Sequence, residues 1–143
     1  MDPGITGFIQ HKKLALIGAA RDGKSFGNFA AKELRERGYE LLLVHPQATE
    51  IEGQACYSDL KAVHDQVGGV IVCVPPAQAE GVLRQAAELG LKRVWLQQGA
   101  QTPQLVTLGE QLGSGIVSGK WIVLSAEPVR PCHIWHRGFM ILI

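Results

Sequence analysis

The residues with the clearest chemical potential run from 18 to 25, Gly-Ala-Ala-Arg-Asp-Gly-Lys-Ser. They join an apolar run at 14–17 to an amphipathic run at 26–37. A glycine at the end of a strand lets backbone approach a phosphate closely, and the amides that open a following helix point at such an anion. Arg21 and Lys24 add positive charge, and Ser25 adds a hydroxyl at a helix N-cap position. Taken literally, Gly18 to Ser25 satisfies G-x-x-x-x-G-K-[ST], the Walker A pattern. A phosphorylated, nucleotide-type ligand is therefore expected. The open question is which one.

Three observations weigh against a nucleoside triphosphatase. Such an enzyme ends a second strand in an acidic residue that holds Mg²⁺. Here the apolar runs end in Val44-His45-Pro46, Val74-Pro75-Pro76 and Leu96-Gln97-Gln98, without a carboxylate, and Glu127 comes late, beside Pro128. The chain is also short for that class, and the pattern is permissive. The dinucleotide fingerprint fails too: Gly18 is followed by Ala19 and Ala20, and His45-Pro46 stands where an acidic ribose ligand belongs. An NTP-binding or NTP-hydrolysing protein remains the alternative reading of the loop.

Other reactive residues do not assemble into a catalytic set. His133 and His136 have the i, i+3 spacing of two metal ligands on a helix, but no third ligand accompanies them, so no metal is assigned. Cys132 has only His133 to lower its pKa, and Cys73 lies inside the apolar run 70–74, where a buried, inert thiol is expected. There is no G-x-S-x-G elbow and no carboxylate pair suited to acid–base work. No catalytic residue is assigned.

The elements that must position the loop are legible as alternating apolar and amphipathic runs. Strands are expected at 14–17, 41–44, 70–74 and 93–96, with 115–118 and 121–124 competing for the last position. These runs are uniformly apolar rather than alternating, which implies burial on both faces and hence a parallel sheet. Helices are expected at 5–11, 26–37 (closed by Gly38), 59–66 (capped by Ser58), 78–89 (closed by Gly90), from Pro103 to 112, and at 131–142. Trp95 reads as core. The order predicts an α/β fold, Rossmann-like and doubly wound, with a parallel sheet of about five strands and helices on both faces.

Bulk properties set the class. With 143 residues, one domain spanning 1–143 is expected. Fourteen basic residues against thirteen acidic give a charge of +1, which supplies no reason for a nucleic-acid or anionic-membrane partner. The three cysteines, Cys56, Cys73 and Cys132, read as free thiols of a reducing compartment. The opening Met-Asp-Pro-Gly lacks a secretory layout, and no apolar run approaches the roughly 20 residues of a membrane span. A cytoplasmic location is expected.

Seven segments occur together in a recognisable order: A-L-I-G-A-A at 15–20, R-G-Y at 37–39, L-V-H-P at 43–46, I-E-G at 51–53, Y-S-D-L at 57–60, V-P-P at 74–76 and V-W-L-Q-Q-G at 94–99. In this the chain resembles the CoA-binding domain family, small stand-alone proteins similar to the N-terminal domain of the succinyl-CoA synthetase alpha subunit. The resemblance covers nearly the whole chain. It implies binding of CoA or an acyl-CoA without catalysis of the chain's own. Carried over by position, Gly18, Ala19, Ala20 and Arg21 would line the diphosphate, and His45, Pro46 and Gln47 would lie near the adenosine or its ribose phosphate. Val74, Pro75 and Pro76 would pack on the nucleotide or the pantetheine arm, while Leu96, Gln97, Gln98 and Gly99 would serve the pantetheine. Two departures stand out. The family usually has Asn-Pro where this chain has His45-Pro46, and a cysteine often found in the last strand is replaced by Trp121. A metabolite-sensing interaction module is the other reading, with a homodimer or a partner chain meeting the apolar 139–143.

Overall fold

The computed structural model describes residues 3–97, 99–120 and 122. Helix α1 (Pro3–Ile9) leads into strand β1 (Lys13–Ile17), helix α2 (Phe26–Glu36) and strand β2 (Glu40–Val44). A hairpin of β3 (Glu50–Ile51) and β4 (Gln54–Tyr57) follows, then a 3-10 turn at Leu60–Ala62. The second half alternates β5 (Val70–Val72), α3 (Pro76–Glu88), β6 (Arg93–Gln97), α4 (Pro103–Gln111) and β7 (Gly115–Lys120).

The strands form one sheet in the order β3-β4-β2-β1-β5-β6-β7, parallel throughout except for the β3–β4 pair. Alternate residues of each strand point to opposite faces, and both faces are apolar, as the sequence predicts. Leu14, Leu16, Ile71 and Trp95 pack with Phe8 of α1 and Ala30 and Leu34 of α2. Ala15, Val70, Val72 and Val94 pack with Leu83 and Ala86 of α3 and Leu105 of α4. Trp95 is fully buried and meets the Phe8 ring edge-on at 5.3 Å. The chain leaves β1 in one direction toward β2 and returns on its other side as β5, so the winding reverses between β1 and β5.

Seven strands replace the roughly five expected from the apolar runs because the β3–β4 hairpin adds two. Its turn is Glu52-Gly53, with φ of 50° and 79°, the two left-handed residues of a type I′ connection. Gly115–Lys120 supplies the last strand among the described residues, and the competing segment 121–124 lies, apart from Ile122, outside them. Helix α3 starts at Pro76, with Pro75 as its N-cap, two residues earlier than read from the sequence. Proline suits that position, since its ring presets the helical φ and it has no N–H to leave unpaired. The helix expected at 59–66 is instead the 3-10 turn, capped by Asp59 rather than Ser58. Leu60 and Val63 are both fully buried, which a 3-10 turn achieves because side chains three apart eclipse. Trp121, Cys132, His133, His136 and the segments 123–130, 131–142 and 139–143 lie outside the described residues.

Candidate functional site

Loops leave β1, β2, β5 and β6 at the same edge of the sheet. Ile17 lies in register with both Val44 and Val72, and Val72 with Leu96, so the four carboxyl ends are neighbours. An open α/β sheet binds ligands at this edge, where the winding reverses.

Gly18 leaves β1 with φ of 126°, and a Cβ there would stand 2.6 Å from Cys73 Cβ and 2.7 Å from the Cys73 carbonyl. Only glycine lets the two chain segments come this close. Cys73 N–H in turn donates to Ile17 O at 2.7 Å. The following helix also presses on the loop: a Cβ at Gly27 would meet Gly18 O at 2.5 Å. Strand, loop and helix start are thus packed backbone to backbone.

The loop is held from inside by Asn28, which is buried. Its Oδ1 accepts from Ala20 N at 2.8 Å and from Ser25 N at 3.1 Å, and its Nδ2 donates to Ala20 O at 3.0 Å and to Glu52 Oε1 at 3.1 Å. Ser25 is the N-cap of α2, its Oγ accepting from Asn28 N, and its one proton serves either Gly18 O or Asn28 Oδ1. Asp22 Oδ1 accepts from Lys24 N at 2.9 Å, an Asx turn that faces solvent. Among the described residues, the N–H groups of Ala19, Arg21 and Asp22 remain unbonded. Arg21 is exposed, and its Nη2 donates to Gln47 Oε1 at 2.7 Å, which ties the first loop to the second. Lys24 is exposed as well.

In the second loop His45 Nδ1 accepts from Gln47 N at 3.0 Å and Ala48 N at 2.9 Å. With Nδ1 accepting, the ring proton sits on Nε2. An asparagine would offer Oδ1 to the same amide two residues on, so histidine here keeps the turn chemistry of the Asn-Pro pattern. Pro46 and Gln47 are exposed beside it.

A cleft of about 230 Å³ opens between the third and fourth loops, lined by Phe26, Cys73, Val74, Pro75, Gln97, Gly99 and Ala100. Gln97 is only 2% exposed; its Oε1 accepts from Ile122 N at 3.1 Å, and its Nε2 has no partner. Leu96 belongs to the core beneath the rim, and Pro76 is the first residue of α3. Gln98 lies outside the described residues. Cys73 forms part of the cleft wall, and burial pushes its thiol up to about 12. That group is protonated at neutral pH. At pH 8 alkylation of Cys73 in the folded protein is expected to run on the order of a thousandfold slower than for an ordinary thiol, and to become fast in denaturant. Mass-spectrometric peptide mapping checks this.

Asn28, Glu52, Phe26 and Ala100 were not singled out as site residues from the sequence. The spacing Ser25-x-x-Asn28 is a variant of the capping box and could have flagged Asn28; nothing local points to Glu52. A larger concavity, about 460 Å³, lies between α2 and the hairpin. Lys32, Arg35, Glu36 and Glu52 line it, so its charges balance and it offers little to a polyphosphate. Among the described residues no group of three His, Cys, Asp or Glu could hold a metal ion, and no helix is long and apolar enough to cross a membrane.

A family model described as a CoA binding domain matches residues 12–124, which includes β1 to β7 and all four loops. The chain belongs to the CoA-binding domain family. The acetate–CoA ligase (ADP-forming) II subunit alpha of Pyrococcus furiosus is 30% identical to this domain over 88 residues, 61% of the present chain. The chain spans 19% of that subunit's length. A conserved hypothetical protein of Pyrococcus furiosus has a similar structure, with a TM-score of 0.76 at 32% identity; the match covers 80% of this chain and 99% of that one. A hypothetical protein of Pyrococcus horikoshii gives a TM-score of 0.79 at 27% identity, covering 87% and 89% of the two chains. The similar proteins thus include chains of about this size as well as a much longer ligase subunit.

Proposed function

We propose that this chain binds CoA along the carboxyl edge of its sheet and performs no bond-breaking chemistry of its own. The diphosphate would meet the unbonded amides of Ala19, Arg21 and Asp22 and the Arg21 guanidinium, with Gly18 and Ala20 shaping the turn and Lys24 adding charge. His45, Pro46 and Gln47 would receive the adenosine or its ribose phosphate. Val74, Pro75 and Pro76, with Gln97, Gln98 and Gly99 and the backbone of Leu96, would border the pantetheine arm. The observation that carries this reading is the joining of the four loops at one edge. Gly18 packs on Cys73, Arg21 bonds Gln47, and one cleft spans the third and fourth loops. Family membership supplies the ligand class.

The triphosphatase reading finds less support. In this loop the Ser25 hydroxyl is committed to capping α2, and the Lys24 amide is committed to Asp22. Calorimetric titration with CoA, dephospho-CoA, NAD and Mg-ATP side by side tests the assignment. CoA is expected to bind most tightly. Tighter binding of NAD or Mg-ATP, or no binding of CoA, would overturn it. Arg21→Ala is expected to weaken CoA about tenfold, in line with loss of a charge-assisted phosphate contact. The affinity should also become less sensitive to salt, while the melting temperature stays within a degree or so because the side chain is exposed.

A further inference from the structure

We propose that Gln97 Nε2 receives the carbonyl oxygen of an acyl thioester, so that the cleft selects a short-chain acyl-CoA over free CoA. This rests on the CoA reading and adds the part of the ligand that enters the cleft.

Gln97 is the one described residue whose side chain carries a buried polar atom without a partner. Its orientation is set, because Oε1 is taken by Ile122 N–H at 3.1 Å and the amide nitrogen must then face the other way. A buried N–H left unpaired costs about 1–3 kcal/mol, a cost that an arriving acceptor removes. The same residue borders the cleft between the third and fourth loops, with its amide nitrogen buried just behind that wall. The remaining walls are Phe26, Val74, Pro75, Ala100, Gly99 and the un-ionised thiol of Cys73.

That inventory matches one chemical group better than another. A pantetheine amide brings a carbonyl and an N–H together, so seating it here would satisfy the acceptor and bury a donor. No described side chain offers a buried unpaired acceptor in return. An acyl thioester brings a carbonyl and no N–H, flanked by sulfur and hydrocarbon, which suit the apolar walls. The cavity of about 230 Å³ equals about eight water volumes. That is room for the thioester and an acyl group of about two to four carbons. The group is held, not transferred: Cys73 stays protonated beside it, and no bond forms or breaks.

The test is calorimetry with CoA, acetyl-CoA and S-ethyl-CoA, the last having a methylene in place of the thioester carbonyl. Wild-type protein is expected to bind acetyl-CoA about tenfold more tightly than S-ethyl-CoA, the worth of one buried hydrogen bond. In Gln97→Met, similar in volume and without a donor, the two affinities should converge. Equal affinity for the two ligands in the wild type would overturn the proposal, and that arm stands even if the variant fails to fold. An equal loss for all three ligands in Gln97→Met would also overturn it, placing Nε2 on the pantetheine instead. Failure to bind any of the three would sink the CoA reading itself, a different outcome from binding without discrimination.

Discussion

Gly18→Ala is expected to destabilise the protein by about 3 kcal/mol or more and to weaken CoA binding by at least about a hundredfold. Two costs combine. The residue sits at φ 126°, which an L side chain rarely adopts, and the new methyl would lie within 2.7 Å of the Cys73 backbone. Neither neighbour is the loose end of a side chain. Relief requires β1 and the segment after β5 to separate, and that displaces the first and third loops together. Gly38→Ala is the matching control. Gly38 has a similar φ of 94°, but its added methyl would meet nothing within 4 Å. It should cost only the backbone strain of about 1–2 kcal/mol and leave CoA affinity unchanged. Urea denaturation and calorimetric titration of both variants check this. Identical behaviour of the two alanines would refute the packing argument.

Asn28→Ala should remove about 3 kcal/mol and lower CoA affinity by more than about tenfold. Asn28 is buried and satisfies both the N–H and C=O of Ala20, the N–H of Ser25 and the Glu52 carboxylate. Alanine strips the half-buried Ala20 and Ser25 backbone groups and the exposed Glu52 carboxylate of their partner at once. The loop then loses its tie to the helix and to the hairpin at once. Hydrogen exchange should show the Ala20 and Ser25 amides opening much faster, while amides at the centre of β1 keep their protection. Unchanged exchange at Ala20 and Ser25 would show that Asn28 is not what holds the loop.

Much of the frame was legible because its cues are local. Uniform apolar runs at 14–17, 41–44, 70–74 and 93–96 announced the parallel strands, and Gly38, Gly90 and Pro103 marked helix ends where they are found. The hairpin carries little local signal, because its strands are short, half-polar and without alternation, and its turn is Glu-Gly rather than Asn-Gly. The 3-10 turn resembles a helix in sequence because Leu60 and Val63 satisfy both spacings. Nothing local in the sequence tells that the Gln97 side chain is buried, because what holds it at one end is Ile122, twenty-five residues away.

The amino-acid order alone determined the alternation of strand and helix, the placement of a glycine where β1 ends, and hence that the loops after the parallel strands gather along one edge. Those features depend on hydrophobic period and on backbone freedom at single residues, which each stretch of chain carries by itself. Only the tertiary structure decided that Asn28 and Glu52 brace the loop, that Gly18 abuts Cys73, and that the amide nitrogen of Gln97 is buried without a partner beside the cleft. Each of these is a contact between groups distant in sequence, with an energy that exists only once the sheet has brought them within hydrogen-bonding or van der Waals range.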